Sequence, residues 1–288
     1  MTGSTILDRC TVFFTQKRLE EKGSSVFVKG LVLFALLKTF TIWSVAETLL
    51  AGGAPRISGL SLSRMVFFPS EMVYDHPDLV FGGLCLALFG ILFFRPVYLS
   101  NIVLFWIALN LFRIKFPVTN GSDYVVLVMS AYAIPLSRER FVNPLSEAIA
   151  ISAHNLFKVL AGIQICLIYF ISAWDKLLST VWRSGDAFLY ISKMETTFNP
   201  MFTPLINNAI AAMVLSWITI AFEFLFGIMV WRERFRLITL CIGVIFHFII
   251  WMMLSLPDFA LIMIISYLVF LKDKDIDNLL GRIKLLPR

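Results

Sequence analysis

Long apolar runs separated by short polar breaks set the pattern of this chain. Runs of about 20 apolar residues predict membrane-crossing helices. They fall at residues 26–50, 79–95, 99–114, 122–137, 156–175, 205–231, 236–255 and 257–272. The second, third, fourth and eighth are short, as expected of tilted spans or of segments that re-enter the bilayer. Pro96 breaks the second run from the third, Pro135 ends the fourth, and Pro257 divides the seventh from the eighth. At each of these points proline removes a helix hydrogen bond.

Two further segments are amphipathic and are expected to lie along the bilayer surface. Residues 6–19 set Ile6, Leu7, Cys10, Phe13 and Phe14 on one helical face, with Arg9, Lys17 and Arg18 beside them. Residues 186–198 mix Phe188, Leu189, Ile191 and Met194 with Asp186, Lys193 and Glu195. The predicted fold is therefore all-α and integral to the membrane: a polytopic bundle of about eight transmembrane helices with two interfacial amphipathic helices. Residues 1–25 read as a cytoplasmic amphipathic arm, 26–272 as the membrane domain and 273–288 as a basic cytoplasmic tail. No soluble domain is expected, and the polar stretch near 51–78 is long enough only for a small cap. No cleavable leader is read at the N-terminus, because the first apolar run follows a charged arm.

Composition strengthens this reading. The chain is 59% hydrophobic, has 28 Phe and is only 15% charged, whereas soluble domains carry about 25% charged residues. Its four cysteines show no CxxC or Cys/His spacing. Cys85, Cys166 and Cys241 lie inside apolar runs, where a thiol packs as a small apolar group. No metal site is expected. The net charge of +6 is placed between spans and speaks for membrane topology, not for nucleic acid.

Lysine and arginine positions predict orientation. With the N-terminus inside, the cytoplasmic face holds Arg9, Lys17, Arg18, Lys22, Arg95, Arg138, Arg140, Arg232, Arg234, Arg236, Lys272, Lys274, Arg282, Lys284 and Arg288. The outer face holds the smaller set Arg56, Arg64, Arg113, Lys115, Lys176, Arg183 and Lys193. Both termini are expected in the cytoplasm.

Polar groups inside the apolar runs are the candidate chemistry. They are Lys38 and Glu47 in the first run, Asn110 in the third, Asn120 and Asp123 opening the fourth, and Gln164, Asp175 and Lys176 in the fifth. Glu223 follows in the sixth, His247 in the seventh and Asp258 at the start of the eighth. A lysine at a span centre costs roughly 2.5–3.5 kcal/mol on insertion scales, so Lys176 must snorkel, pair with Asp175, or serve a site. On the topology above, Glu47, Asn120, Asp123, Asp175, Lys176 and Asp258 share the outer half of the membrane, with His247 near mid-depth. They are expected to converge on a cavity open to the outside. Glu223 lies deeper and is expected to form a structural pair, with Lys38 as the partner.

Each group also has a structural reading. Asn120 and Asp123 suit the start of a helix, His247 between Phe246 and Phe248 suits packing, and Trp174 and Trp182 suit the interface belt. Chemically, a partly desolvated lysine acts as a general base and a buried histidine polarises a developing oxyanion. Such a site accepts a hydrophobic substrate such as a quinol. No nucleotide loop, HExxH or serine elbow is present.

The string from Gln164, Q-x4-YF-x5-KL-x4-W-x2-G, resembles the membrane domain of vitamin K-dependent γ-glutamyl carboxylase and the bacterial horizontally transferred transmembrane (HTTM) proteins. In order along the chain, Asn120-Gly121-Ser122-Asp123 is similar to the family's N-G-G-D segment, Glu223 matches a glutamate of the sixth span, and Phe246-His247 matches the motif of the seventh. The resemblance covers about residues 27–270. It implies that Lys176 is the base acting on a reduced, vitamin K-like quinone and that His247 belongs to the active site. The sequence departs from the pattern at Gly121, where the carboxylases have histidine, and at Gly162, where bacterial members carry arginine, with Lys158 one turn earlier. The carboxylases' large lumenal domain, which presents the glutamate substrate, has no counterpart in these residues. The compact bacterial branch includes proteins that mature a secreted sporulation-delaying peptide together with a small partner protein.

The combined expectation is a compact enzyme or maturation factor acting from the outer leaflet on a lipophilic molecule or an exported peptide. Lys176 would be the base and His247 the polarising group, with Asn120, Asp123, Gln164, Trp182 and Glu223 orienting. A non-catalytic scaffold or transport partner for an exported peptide is the alternative. A small-molecule transporter is disfavoured by the lack of an inverted repeat.

Overall fold

The computed structural model describes residues 17–51, 70–115, 118–194 and 197–284, with no side-chain description at 51, 70, 71 or 279–284. The described residues are mostly helical, with no strand among them. Helices of ten or more residues are α1 (Glu21–Ser44), α2 (Pro77–Phe93), α3 (Tyr98–Lys115), α4 (Gly121–Ala133), α5 (Pro144–Leu178), α6 (Ala209–Met229), α7 (Glu233–Leu254), α8 (Pro257–Ser266) and α9 (Asp273–Lys284). Each of the eight predicted apolar runs overlaps one of α1–α8. Five of them, α1, α3, α5, α6 and α7, are long and apolar enough to cross a membrane. Where eight spans were expected, the described residues hold five helices of crossing length and three shorter apolar ones. At 1.5 Å per residue, α2 and α4 reach about 25 and 20 Å, short of a hydrocarbon core of about 30 Å. Most of the 6–19 arm and the stretch near 51–78 lie outside the described residues.

Two compact units divide the chain: residues 1–159 with 271–288, and residues 160–270. In the first, α1 packs along α2 and also meets α3, α4 and α9, while α3 pairs with α4. Phe27, Leu31 and Phe34 of α1, Phe81 and Leu88 of α2, and Leu104 and Ile107 of α3 form its buried interior. The N-terminus of α1 needs acceptors for its unpaired N–H groups. Asp273 supplies one, accepting from Lys22 N at 2.9 Å and Gly23 N at 3.1 Å. Arg18 is buried and pairs with Glu147 at 3.4 Å, and the Asn155 amide takes Leu19 N at 2.7 Å and gives to Lys17 O at 2.8 Å. The chain entering α1 is therefore tied to α5.

A second polar knot lies at the start of α4. Asn120 caps this helix by accepting from Ser122 N at 3.0 Å, and Asp123 returns the bond by accepting from Asn120 N at 2.8 Å, a reciprocal capping box. Asp123 also receives Lys38 and Lys115, each at 2.8 Å, and Lys38 donates to Ser122 Oγ at 2.6 Å. This corrects the partner expected for Lys38: it pairs with Asp123, not with Glu223.

In the second unit, the C-terminal part of α5 joins α6, α7 and α8 with short helices at Thr180–Ser184, Asp186–Ile191 and Thr203–Ile206. Residues 186–198 do not form one interfacial helix. The helix stops at Ile191, and Phe188 and Phe198 are buried with Ile206, Ala212 and Met253. Phe188 and Phe198 thus have protein neighbours, while Leu189 and Met194 of the same segment stay exposed. Asn208 separates Thr203–Ile206 from α6 by capping Ile210 N and Ala211 N, both at 3.1 Å, which breaks the run read as 205–231. Gly185 turns the chain between the first two short helices at φ 89°, and a side-chain carbon there would stand 2.6 Å from Met213 N. Both the left-handed backbone and the close approach demand glycine.

Asp123 holds two lysines in a packed interior, so its removal leaves both uncompensated. Asp123→Ala is expected to lower the stability of the detergent-solubilised protein by about 3–5 kcal/mol, read from its thermal or denaturant unfolding. Lys115→Ala, at a more exposed position, is expected to cost less.

Candidate functional site

α5, α6 and α7 bring three of the chain's deep polar side chains to one cavity. The last two turns of α5 place Ser172 and Lys176 on one face, four residues apart, with Tyr169 a further turn back on the same side. Lys176 Nζ lies 2.9 Å from Glu223 Oε2 and 3.0 Å from Oε1, and also donates to Ser172 Oγ. Glu223 sits fourteen residues into α6, about 21 Å along the helix axis. Both side chains are largely buried, at 16% and 8% exposure. Lys176 therefore neither snorkels nor pairs with Asp175, which is exposed. Its ammonium is held by a buried carboxylate reached from another helix, with the Trp182 ring 5.1 Å from Nζ. A cation over an indole face gains further electrostatic stabilisation when desolvated.

His247 projects from the middle of α7 and is almost fully buried. Its Nε2 lies 2.5 Å from the Tyr169 hydroxyl, which also bonds the Tyr267 hydroxyl. Among the described residues its Nδ1 has no partner. Tyr169 stacks on Phe226 with ring centroids 4.2 Å apart, and Phe226 stacks on Tyr267 at 5.4 Å. Aromatic packing thus sets the two hydroxyls in place.

Lys176, Glu223, His247, Tyr169 and Trp182 all line a cavity of about 500 Å³. The remaining walls are almost wholly apolar, supplied by α5–α8 and by Phe188, Ile191, Phe202 and Leu205 of the segment after α5. Small-molecule sites have this character: a mostly apolar pocket of some 300–1,000 Å³ with a few convergent polar groups.

The other expected site residues lie elsewhere. Asn120 and Asp123 belong to the first unit, where they cap α4 and bind Lys38 and Lys115. Gln164 is on α5, three turns before Lys176, and is not among the cavity's walls. Neither Glu47 nor Asp258 lines it. Convergence of the whole polar set on one cavity is thus corrected to a set drawn from α5, α6 and α7. Glu223 moves from a structural partner of Lys38 to the direct partner of Lys176.

Two cavity-associated residues had no role assigned in the sequence. Tyr169 stands in the string that carries the resemblance, and its seven-residue spacing from Lys176 put both on one helix face. Tyr267 gives no signal, since an aromatic residue at the end of an apolar run reads as core.

Fold and cavity together define a multi-pass helical membrane protein with a charged pair and a buried histidine in an apolar pocket. The model of the HTTM domain matches residues 71–274, and the chain belongs to that family. The matched stretch contains Lys176, Trp182, Glu223 and His247. Neither a curated protein nor a solved structure matches the chain.

Removing one member of a buried ion pair leaves the other uncompensated, whereas removing both is often neutral. Lys176→Met and Glu223→Gln are each expected to destabilise the protein by about 3–5 kcal/mol, and the double variant to recover most of that loss. Unfolding midpoints of the four proteins in one detergent check this.

Proposed function

We propose that this HTTM protein is an enzyme or maturation factor that works on a lipophilic molecule, with Lys176 as general base and His247 as the polarising group. The observation that carries the reading is the placement of a buried Lys–Glu pair and a buried histidine, with one ring nitrogen unpartnered, on the wall of an apolar cavity of about 500 Å³. A purely structural ion pair needs no empty volume beside it.

The lysine's proton has an acceptor in reach, since Glu223 accepts at 2.9 Å. Passing it to the carboxylate leaves a neutral amine, free to take a proton from a substrate hydroxyl or acidic C–H at the cavity. His247 offers a hydrogen bond to the oxygen on which charge then develops. The apolar walls keep water from competing, which strengthens both interactions. Trp182, above Nζ, holds the ammonium form until transfer.

A reduced, vitamin K-like quinone fits this wall chemistry: its ring and tail match the apolar lining, and its oxygens match Lys176 and His247. Bound there, it would supply an acidic hydroxyl and redox capacity. Resemblance to the carboxylase membrane domain supports the quinol, and resemblance to the compact bacterial branch supports an exported peptide with a small partner protein as the substrate system. Action from the outer leaflet, with cytoplasmic termini, rests on the lysine and arginine distribution, and the placement in a bacterial inner membrane rests on the resemblance to the compact bacterial branch.

The alternative is a non-catalytic scaffold or transport partner for an exported peptide, favoured by the tight hold that Glu223 and Ser172 have on Lys176. Lys176→Arg separates the two. Arginine retains the pair but cannot supply a neutral amine. In a deletion strain complemented with variants expressed at wild-type level, the base reading predicts loss of function for both Lys176→Ala and Lys176→Arg. The scaffold reading predicts that Lys176→Arg complements fully. Full complementation by Lys176→Ala would reject the base assignment.

A further inference from the structure

The hydroxyls of Tyr169 and Tyr267 are buried polar groups that the proposed chemistry does not use. Tyr169 joins α5 to the histidine, and Tyr267 begins the 3-10 turn after α8. Both are almost fully buried, and Tyr267 is not among the cavity's walls. Among the described residues its hydroxyl bonds only Tyr169. Gly243, one turn before His247, makes the arrangement possible: a side-chain carbon there would lie 2.7 Å from Tyr267 Cζ.

Two phenolic protons and one imidazole proton must be distributed along Tyr267, Tyr169 and His247. If His247 Nε2 carries the hydrogen, it donates to Tyr169. Tyr169 must then donate to Tyr267, whose own O–H is left buried without an acceptor, and His247 Nδ1 is left unpaired as well. If both Tyr267 and Nε2 donate to Tyr169, the Tyr169 O–H is stranded. If Tyr267 donates to Tyr169 and Tyr169 donates to Nε2, every hydroxyl is satisfied and only Nδ1–H remains. A buried unsatisfied polar group costs about 1–3 kcal/mol, so the last arrangement, with one such group instead of two, dominates. The hydroxyl chain is also cooperative in that direction, each donor strengthening the next.

We propose that Tyr267 and Tyr169 are positioning residues that lock His247 as its Nδ1–H tautomer. This rests on the reading of the cavity as a ligand site and adds the polarity of its histidine. The histidine enters as a fixed hydrogen-bond donor; the site's base lies elsewhere.

The test is side-chain 15N spectroscopy of the full-length protein labelled at histidine. The chain has three histidines, and His247→Gln assigns the signals by difference. The expected spectrum has protonated Nδ1 and unprotonated Nε2 for His247. Tyr169→Phe is expected to shift it toward a mixture of tautomers, while Tyr267→Phe moves the Nε2 resonance without exchanging the tautomer. A wild-type His247 protonated at Nε2 or at both nitrogens, or an unchanged spectrum in Tyr169→Phe, overturns the assignment. These readouts need no activity. A locked tautomer with full function in Lys176→Ala would leave this inference standing and reject the base.

Discussion

The second unit depends on an ammonium ion brought to the wall of an apolar cavity and matched there by one carboxylate. Neither Lys176 nor Glu223 is tolerable alone at that depth. Their union at 2.9 Å fixes α5 against α6 and sets the position of Ser172 and Trp182. With α5 and α6 placed, Tyr169 stacks on Phe226 and its hydroxyl meets His247 of α7. One electrostatic constraint thus orders three helices around the same space.

Comparison with the first unit shows why this pair reads as a site. Asp123 with Lys38 and Lys115 uses the same chemistry at similar distances. Its surroundings differ: the void beside Lys38 and Asp123 is about 10 Å³, room for no more than a water. There the charges are consumed by capping α4 and holding α1 and α3 to it. Beside Lys176 the same type of pair borders about 500 Å³. The ion pair alone does not distinguish the two places; the unfilled apolar volume beside Lys176 is what supports the proposal of a site there.

Much of the fold was legible because apolar runs and proline breaks report directly on helix placement. The eight runs each yielded a helix, and Pro257 opens α8 as expected. Ends were less legible: α5 begins at Pro144, well before residue 156, because its first turns pack in the first unit and need not be apolar throughout. Of the site, Lys176, Trp182, Glu223 and His247 were found because charge, imidazole and indole are rare at such depths or recur in the family string. Their partners were not. Pairing depends on helix rotation and relative depth, which a sequence pattern leaves open, so Glu223 was assigned to Lys38 and Asn120 and Asp123 to the cavity. Residues 186–198 looked interfacial because amphipathicity reports an apolar face without saying whether lipid or protein covers it.

The central claim is that the apolar cavity beside Lys176 and Glu223 holds a lipophilic molecule through that pair. The direct measurement is mass spectrometry of the organic extract from natively purified protein, wild type against the Lys176→Met/Glu223→Gln double variant, which keeps the helices matched. The account predicts a lipophilic, oxygen-bearing molecule retained by wild type and depleted in the double variant. Identical extracts from the two proteins, with bulk membrane lipid alone in both, would contradict it.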